Sequence, residues 1–109
     1  MSFEILSIPH FDRAFKKLAK KYPSLKLDIK RLVEGLKINP KEGKTLGNNC
    51  YKVRMAIGSK GKGKSGGARI ITHLKIIDQK VFLLSIYDKS EVETIAEKEL
   101  KGLLEQIPD

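Results

Sequence analysis

From Tyr51 to Arg69 the chain reads YKVRMAIGSKGKGKSGGAR, and this stretch narrows the available folds more than any other. In Tyr51–Ile57, strict alternation puts Tyr51, Val53, Met55 and Ile57 on one face of a strand. Lys52 and Arg54 share the other face, roughly 7 Å apart at the strand repeat. A glycine-rich loop carrying Lys60, Lys62 and Lys64 follows, and Arg69 opens a second β-rich run. Between residues 43 and 77 there are eight Lys or Arg and no acid. Such a segment suits a ligand with several negative charges.

Gly58–Ser65 also fits the phosphate-loop pattern G-x-x-x-x-G-K-[ST]. That motif requires a helix immediately after it, so that helix N-terminal amides face the phosphates. Here two glycines and a β-branched run follow, so no nucleotide cofactor is expected. Glycines that let the backbone approach an anion, and lysines that supply charge, remain.

The rest of the chain supplies a small scaffold. Phe3–Ile8 reads as a short strand ended by Pro9. Phe11, Ala14, Phe15, Leu18, Ala19 and Tyr22 form one helical stripe, opposed by Arg13, Lys16, Lys17, Lys20 and Lys21. Pro23 ends that helix. Ser24 is placed to cap a second one, with the stripe Leu25, Ile29, Leu32, Val33 and Leu36. Ala68–Ile77 reads as a strand, Asp78-Gln79 as a tight turn, and the apolar Val81–Tyr87 as a strand covered on both faces. Ser90 and Glu93 form a capping box for a last helix bearing Val92, Ile95, Ala96, Leu100, Leu103, Leu104 and Ile107. The order β-α-α-β-β-β-α predicts a single α+β domain over residues 1–109, with about four strands in a small antiparallel sheet, an N-terminal helical hairpin and a C-terminal helix.

Charge sharpens this. The net charge is +9, and it is polarised: residues 1–42 carry ten basic and five acidic groups, residues 88–109 three basic and seven acidic. Nucleic acid is the common partner of such a surface. Cys50 has no disulfide partner and reads as a small buried side chain in a reducing, cytoplasmic setting. No apolar run is long enough for a signal peptide or a membrane span. His73 falls on the Arg69 face of its strand, where a half-buried structural histidine is the simpler reading. No cluster with metal-ligand spacing is visible, so no metal is expected.

CYKVRMAI, followed by GKGKSGGARIITHLKIIDQKVFLLSIYDKSEVETIAEKEL, resembles the RelE-like toxins of bacterial toxin–antitoxin modules, with the K-S-G-G-A-R segment and L-L-x-I-Y-x-K-S strand end of their HigB-like branch. The upstream F-x-x-x-x-K-K-L-x-K-K-Y-P-S-L and L-G-N-N-C-Y-K segments are similar too. The resemblance implies a metal-independent mRNA endonuclease acting in the ribosomal A site and neutralised by a cognate antitoxin. In that chemistry the RNA's own 2′-hydroxyl attacks the adjacent phosphate. Lys52 and Arg54 match the family's basic strand pair, Arg69 its transition-state arginine, and Tyr87 and Lys89 its strand-end cluster. Lys60, Lys62 and Lys64 would bind RNA. Arg54 stands where lysine is common, and arginine, with a pKa above about 12, is a poor base. Lys52 and Lys89 are left as candidate proton acceptors, a role open to lysine where neighbouring positive charge lowers its pKa. A ParE-like gyrase inhibitor, with the same fold and no RNA cleavage, is the alternative.

Overall fold

Val81–Ile86, apolar at five of its six positions, is buried throughout, and the strand containing it is interior to the sheet. The computed structural model describes residues 2–91 and 95–108. Within them the elements are β1 (Glu4–Ser7), α1 (Pro9–Lys21), α2 (Leu25–Ile38), β2 (Lys44–Gly47), β3 (Cys50–Met55), β4 (Ala68–Lys75), β5 (Lys80–Asp88) and α3 (Glu97–Leu104), with a short 3₁₀ turn at Gly58–Lys60. The sheet order is β1-β5-β4-β3-β2. The pairs β2–β3, β3–β4 and β4–β5 are antiparallel.

Two features depart from the sequence expectation. The sheet has five strands, not about four, because Lys44–Gly47 pairs with β3 as an edge strand. That segment is four residues long and only Leu46 is even partly covered, so it has no alternation to read. The sheet is also not wholly antiparallel, since β1 pairs parallel with β5, Ile5 opposite Val81 and Leu6 opposite Phe82. The long connection between β1 and β5 permits this, whereas tight turns force antiparallel neighbours.

The helical hairpin packs as its stripes require. Phe11 and Leu18 of α1, and Leu25 and Leu36 of α2, are buried against Val53, Ile70, Leu84 and Ile86 in one core. Ser24 stands at the start of α2, but its hydroxyl makes no capping bond there. It donates instead to the Asp28 carboxylate at 2.8 Å and accepts from the Ser59 amide at 2.7 Å. The last helix begins at Glu97, later than the capping box places it. Ser90 turns its hydroxyl to Asp88, 2.8 Å away, while Glu93 lies outside the described residues. Among the described residues no helix is long and apolar enough to cross a membrane.

Side chains alternate at the end of β5, and this places the helices. Asp88 reaches Tyr22 at the end of α1. The neighbouring Tyr87 points the other way, where Glu99 of α3 acts on its phenol. The hairpin and α3 therefore cover opposite faces of the sheet at this end.

Candidate functional site

Strand register assembles the basic residues. Lys44 on β2 stands opposite Lys52 on β3, and Arg54 on β3 opposite Arg69 on β4, which in turn faces Tyr87 on β5. Directly opposed side chains share a face, with Cβ atoms about 4.5–5.5 Å apart. Two like-charged pairs thus sit side by side on one sheet face, an arrangement that costs stability. A chain keeps such a cost where function needs the charge.

These residues surround a cavity of about 470 Å³ lined by Gly43, Lys44, Lys52, Arg54, Arg69 and Lys89. Every ionisable group in this lining is a cation. Lys89, just past β5, is held in place by its amide, which donates to the Gly67 carbonyl at 3.1 Å. Gly67 lies against the end of β3, where an added Cβ would run into the Met55 carbonyl oxygen. Gly43 adopts a φ of +102°, and its missing Cβ would meet the Lys52 carbonyl oxygen. Both glycines are required for the strands to approach this closely.

Arg69 is 5% exposed, and its guanidinium has structural partners. Nη1 donates to the carbonyls of Lys64 at 2.9 Å and Ala68 at 3.1 Å, and Nη2 to the Ser65 carbonyl at 3.3 Å. Arg69 therefore forms the floor of the cavity and also ties down the end of the glycine-rich loop. Arg54 and Lys89 are exposed at the rim, and Lys52 is half-buried.

The loop separates the three lysines predicted to bind RNA. The Gly58 amide donates to Asp28 at 3.0 Å, and Ser59 bonds to Ser24. Lys60 turns inward, its ammonium 2.7 Å from Asp88 and 5.8 Å from the centre of the Tyr22 ring. Lys62 and Lys64, beyond this anchored turn, are exposed. So Lys52, Arg54, Arg69 and Lys89 come together at one cavity, Lys64 lies beside it, and Lys60 belongs to another contact.

Tyr87 is half-buried; its hydroxyl is enclosed and has no hydrogen-bond partner among the described residues. Burial raises its pKa, the Arg69 charge opposes this, and Glu99 reinforces it, leaving a neutral phenol at pH 7. His73 lies 3.5 Å from the Cys50 thiol, away from the cavity lining. Burial lowers its pKa, and Lys75 adds to the effect against a hydrogen bond with the Asn48 backbone. Burial pushes Cys50 up to about 11, so neither member of this contact is charged near neutrality. Among the described residues, no group of three or more His, Cys, Asp or Glu gathers as a metal site.

Sequence reasoning missed Lys44, Gly43 and Asp88. Lys44 was visible within the acid-free run, but its strand was not. Asp88 is buried, and burial drives its carboxyl upward. Hydrogen bonds from Lys60, Tyr22 and Ser90 outweigh that and hold it well below the usual carboxylate range. Nothing local in YDKS announces a buried ion pair with a loop 28 residues earlier.

The protein is thus of the small α+β class, with a cationic cavity on one face of its sheet. A family model, described as the RelE toxin of the RelE/RelB toxin–antitoxin system, matches residues 9–107. The chain belongs to this RelE toxin family. Among solved structures, a mutant of the E. coli toxin RelE in its free state is similar, with a TM-score of 0.63 and 17% identity over 99% of this chain and 100% of that one. At this identity the likeness is one of fold.

Proposed function

We propose that this toxin is a metal-independent endoribonuclease that cuts mRNA on the ribosome and thereby stops translation, and that a cognate antitoxin restrains it. The observation that carries the reading is the convergence of Lys44, Lys52, Arg54, Arg69 and Lys89 on one cavity whose lining holds no acid. Attack by a 2′-hydroxyl needs no protein nucleophile. It needs the nucleotide held in line, negative charge on the phosphate stabilised, and two protons moved. Arg69 presents a planar donor to phosphate oxygens from the cavity floor, and Arg54 does so from the rim. Lys52 and Lys89 are the candidate acceptors of the 2′-hydroxyl proton. Tyr87, in the row of Arg54 and Arg69 but outside the cavity lining, is the candidate to orient the ribose or stack on a base. Lys62 and Lys64 would hold the RNA backbone beyond the cut.

The test is mRNA end-mapping after a short pulse of expression, wild type beside Arg69→Ala, with thermal unfolding of both proteins as a control. Cuts within translated codons that vanish in a folded Arg69→Ala protein are the expected result. Growth arrest with intact mRNA would overturn the reading and favour a protein target such as gyrase.

A further inference from the structure

A second hollow, of about 320 Å³, lies beside the basic cavity, and Arg54 lines both. The two also meet along the backbone, because Glu42 lines the second hollow and Gly43 the first. Their chemistry differs. The second hollow has an apolar surface from Leu32, Met55 and Ala56, and its charged lining mixes signs, with Asp28 and Glu42 beside Arg31, Arg54 and Lys64. Its volume is at the lower end of the range for small-ligand sites, about 300 Å³ and upward.

Gly35 is also part of its lining. This residue is interior to α2, where glycine costs about 1 kcal/mol relative to alanine. No atom lies within 4 Å of the position its Cβ would take, so close packing does not require glycine there. What the missing side chain does is leave the hollow open. The two carboxylates of the lining are not equivalent. Asp28 accepts from the Ser24 hydroxyl and the Gly58 amide and is committed to holding the loop. Glu42 is exposed, and among the described residues its carboxylate has no hydrogen-bond or ion-pair partner.

We infer that this hollow receives one unstacked nucleobase next to the scissile phosphate and that Glu42 reads its edge. The inference rests on the ribonuclease reading above. The apolar surface takes the face of the base, as single-stranded RNA recognition generally requires. Arg54, shared by both hollows, holds the phosphate between the two nucleotides. A carboxylate accepts hydrogen bonds only, so Glu42 favours a base that presents an exocyclic amine: adenine, cytosine or guanine. Uracil offers a single N–H flanked by two carbonyl oxygens, whose lone pairs face the carboxylate unfavourably. The site therefore discriminates against uracil at one position beside the cut.

The experiment is transcriptome-wide end-mapping after pulsed expression of the full chain as wild type, Glu42→Gln and Gly35→Leu. Base frequencies beside each cut are compared with those of the translated transcripts. Wild type should deplete uracil about tenfold at one fixed flanking position, the discrimination expected of one charge-assisted hydrogen bond. Glu42→Gln, which supplies both a donor and an acceptor, should bring the depletion to within about twofold. Gly35→Leu fills the hollow while restoring a good helix former, and should lose the depletion too. Neither residue lines the basic cavity, so both variants continue to cut. Uniform base frequencies in wild type, or undiminished uracil depletion in both variants, would overturn the subsite and leave the ribonuclease reading standing. Absence of any cuts by wild type would overturn both.

Discussion

The Lys60 ammonium stands 2.7 Å from the Asp88 carboxylate, joining the start of the glycine-rich loop to the end of β5. Asp88 has no exposed side-chain surface, and Lys60 only 13%. The carboxylate is further satisfied by the Tyr22 hydroxyl at 2.5 Å and by the amide and hydroxyl of Ser90 at 3.0 and 2.8 Å. Asp88 sits between Tyr87 and Lys89, both candidates for the reaction. One buried ion pair thus fixes the loop, the end of α1 and the strand end that carries these two candidates.

Lys60→Ala should therefore behave as a structural lesion. It leaves a buried carboxylate without its cation, a change that typically costs about 3–5 kcal/mol. Lys62→Ala, two residues along the same loop and exposed, should stay within about 0.5 kcal/mol of wild type. Urea unfolding of the two variants checks this. Equal midpoints would mean that the pair contributes nothing to the fold.

The same carboxylate makes stability pH-dependent. Its folded pKa is depressed, so the unfolded chain binds more protons in the acid range. The contribution is fully present above the unfolded value of about 3.9 and is lost as pH falls below it. Melting temperatures between pH 6 and pH 3 should fall steeply in wild type and less steeply in Asp88→Asn. The variant starts from a lower plateau, because a neutral amide pairs poorly with Lys60. Parallel curves would rule out Asp88 as the source of the slope.

Arg54 and Arg69 face one another across β3 and β4, yet their substitutions should separate. Arg54 is exposed and opposed by like charge, so Arg54→Ala removes repulsion and leaves stability unchanged or raised by a few tenths of a kcal/mol. Arg69→Ala removes three hydrogen bonds to the backbone, at Lys64, Ser65 and Ala68, and should cost about 1–3 kcal/mol. Both should lose cleavage. Calorimetry beside a cleavage assay tests the contrast, and equal stability losses would remove the case for Arg69 as a loop clamp.

The parts of this molecule legible in its sequence are those governed by local periodicity. The stripes of α1 and α2 and the alternation in Tyr51–Ile57 each report a face, and the buried face of β3 carries Val53 and Met55 as the pattern requires. The meeting of Lys52, Arg54, Arg69 and Lys89 was reached through family resemblance, since spacing alone does not set strand register. What stayed hidden was non-local. Lys44–Gly47 forms a strand only because β3 offers it an edge. Lys60 looks like its neighbours Lys62 and Lys64 in sequence, and only the position of Asp88 distinguishes it. Ser24 and Ser90 resemble helix caps but bond to nearby carboxylates, a competition to which short polar side chains are prone.

Cys50 gives a direct measure of native-state integrity. Its thiol is buried and its pKa is pushed up to about 11, so almost no thiolate exists at pH 8. The folded protein should react with an alkylating reagent far more slowly than a free thiol, and at the normal rate once unfolded in denaturant. Fast labelling of the native protein would show that the β3–β4 end opens readily.

Tyr87→Phe separates fold from reaction. A buried hydroxyl without a partner costs about 1–3 kcal/mol, so removing it should leave stability equal to wild type or higher. Buried polar groups kept at such a cost call for another explanation, and a reaction role at the end of the Arg54–Arg69–Tyr87 row supplies one. Burial keeps the phenol protonated at neutral pH, so its hydroxyl is a donor, one that is enclosed in the free protein and must be uncovered to reach a ribose or phosphate. Tyr87→Phe should therefore melt no lower than wild type while cleaving about tenfold or more slowly, as expected for loss of a positioned donor. Wild-type cleavage by the phenylalanine variant would limit the residue's role to its ring.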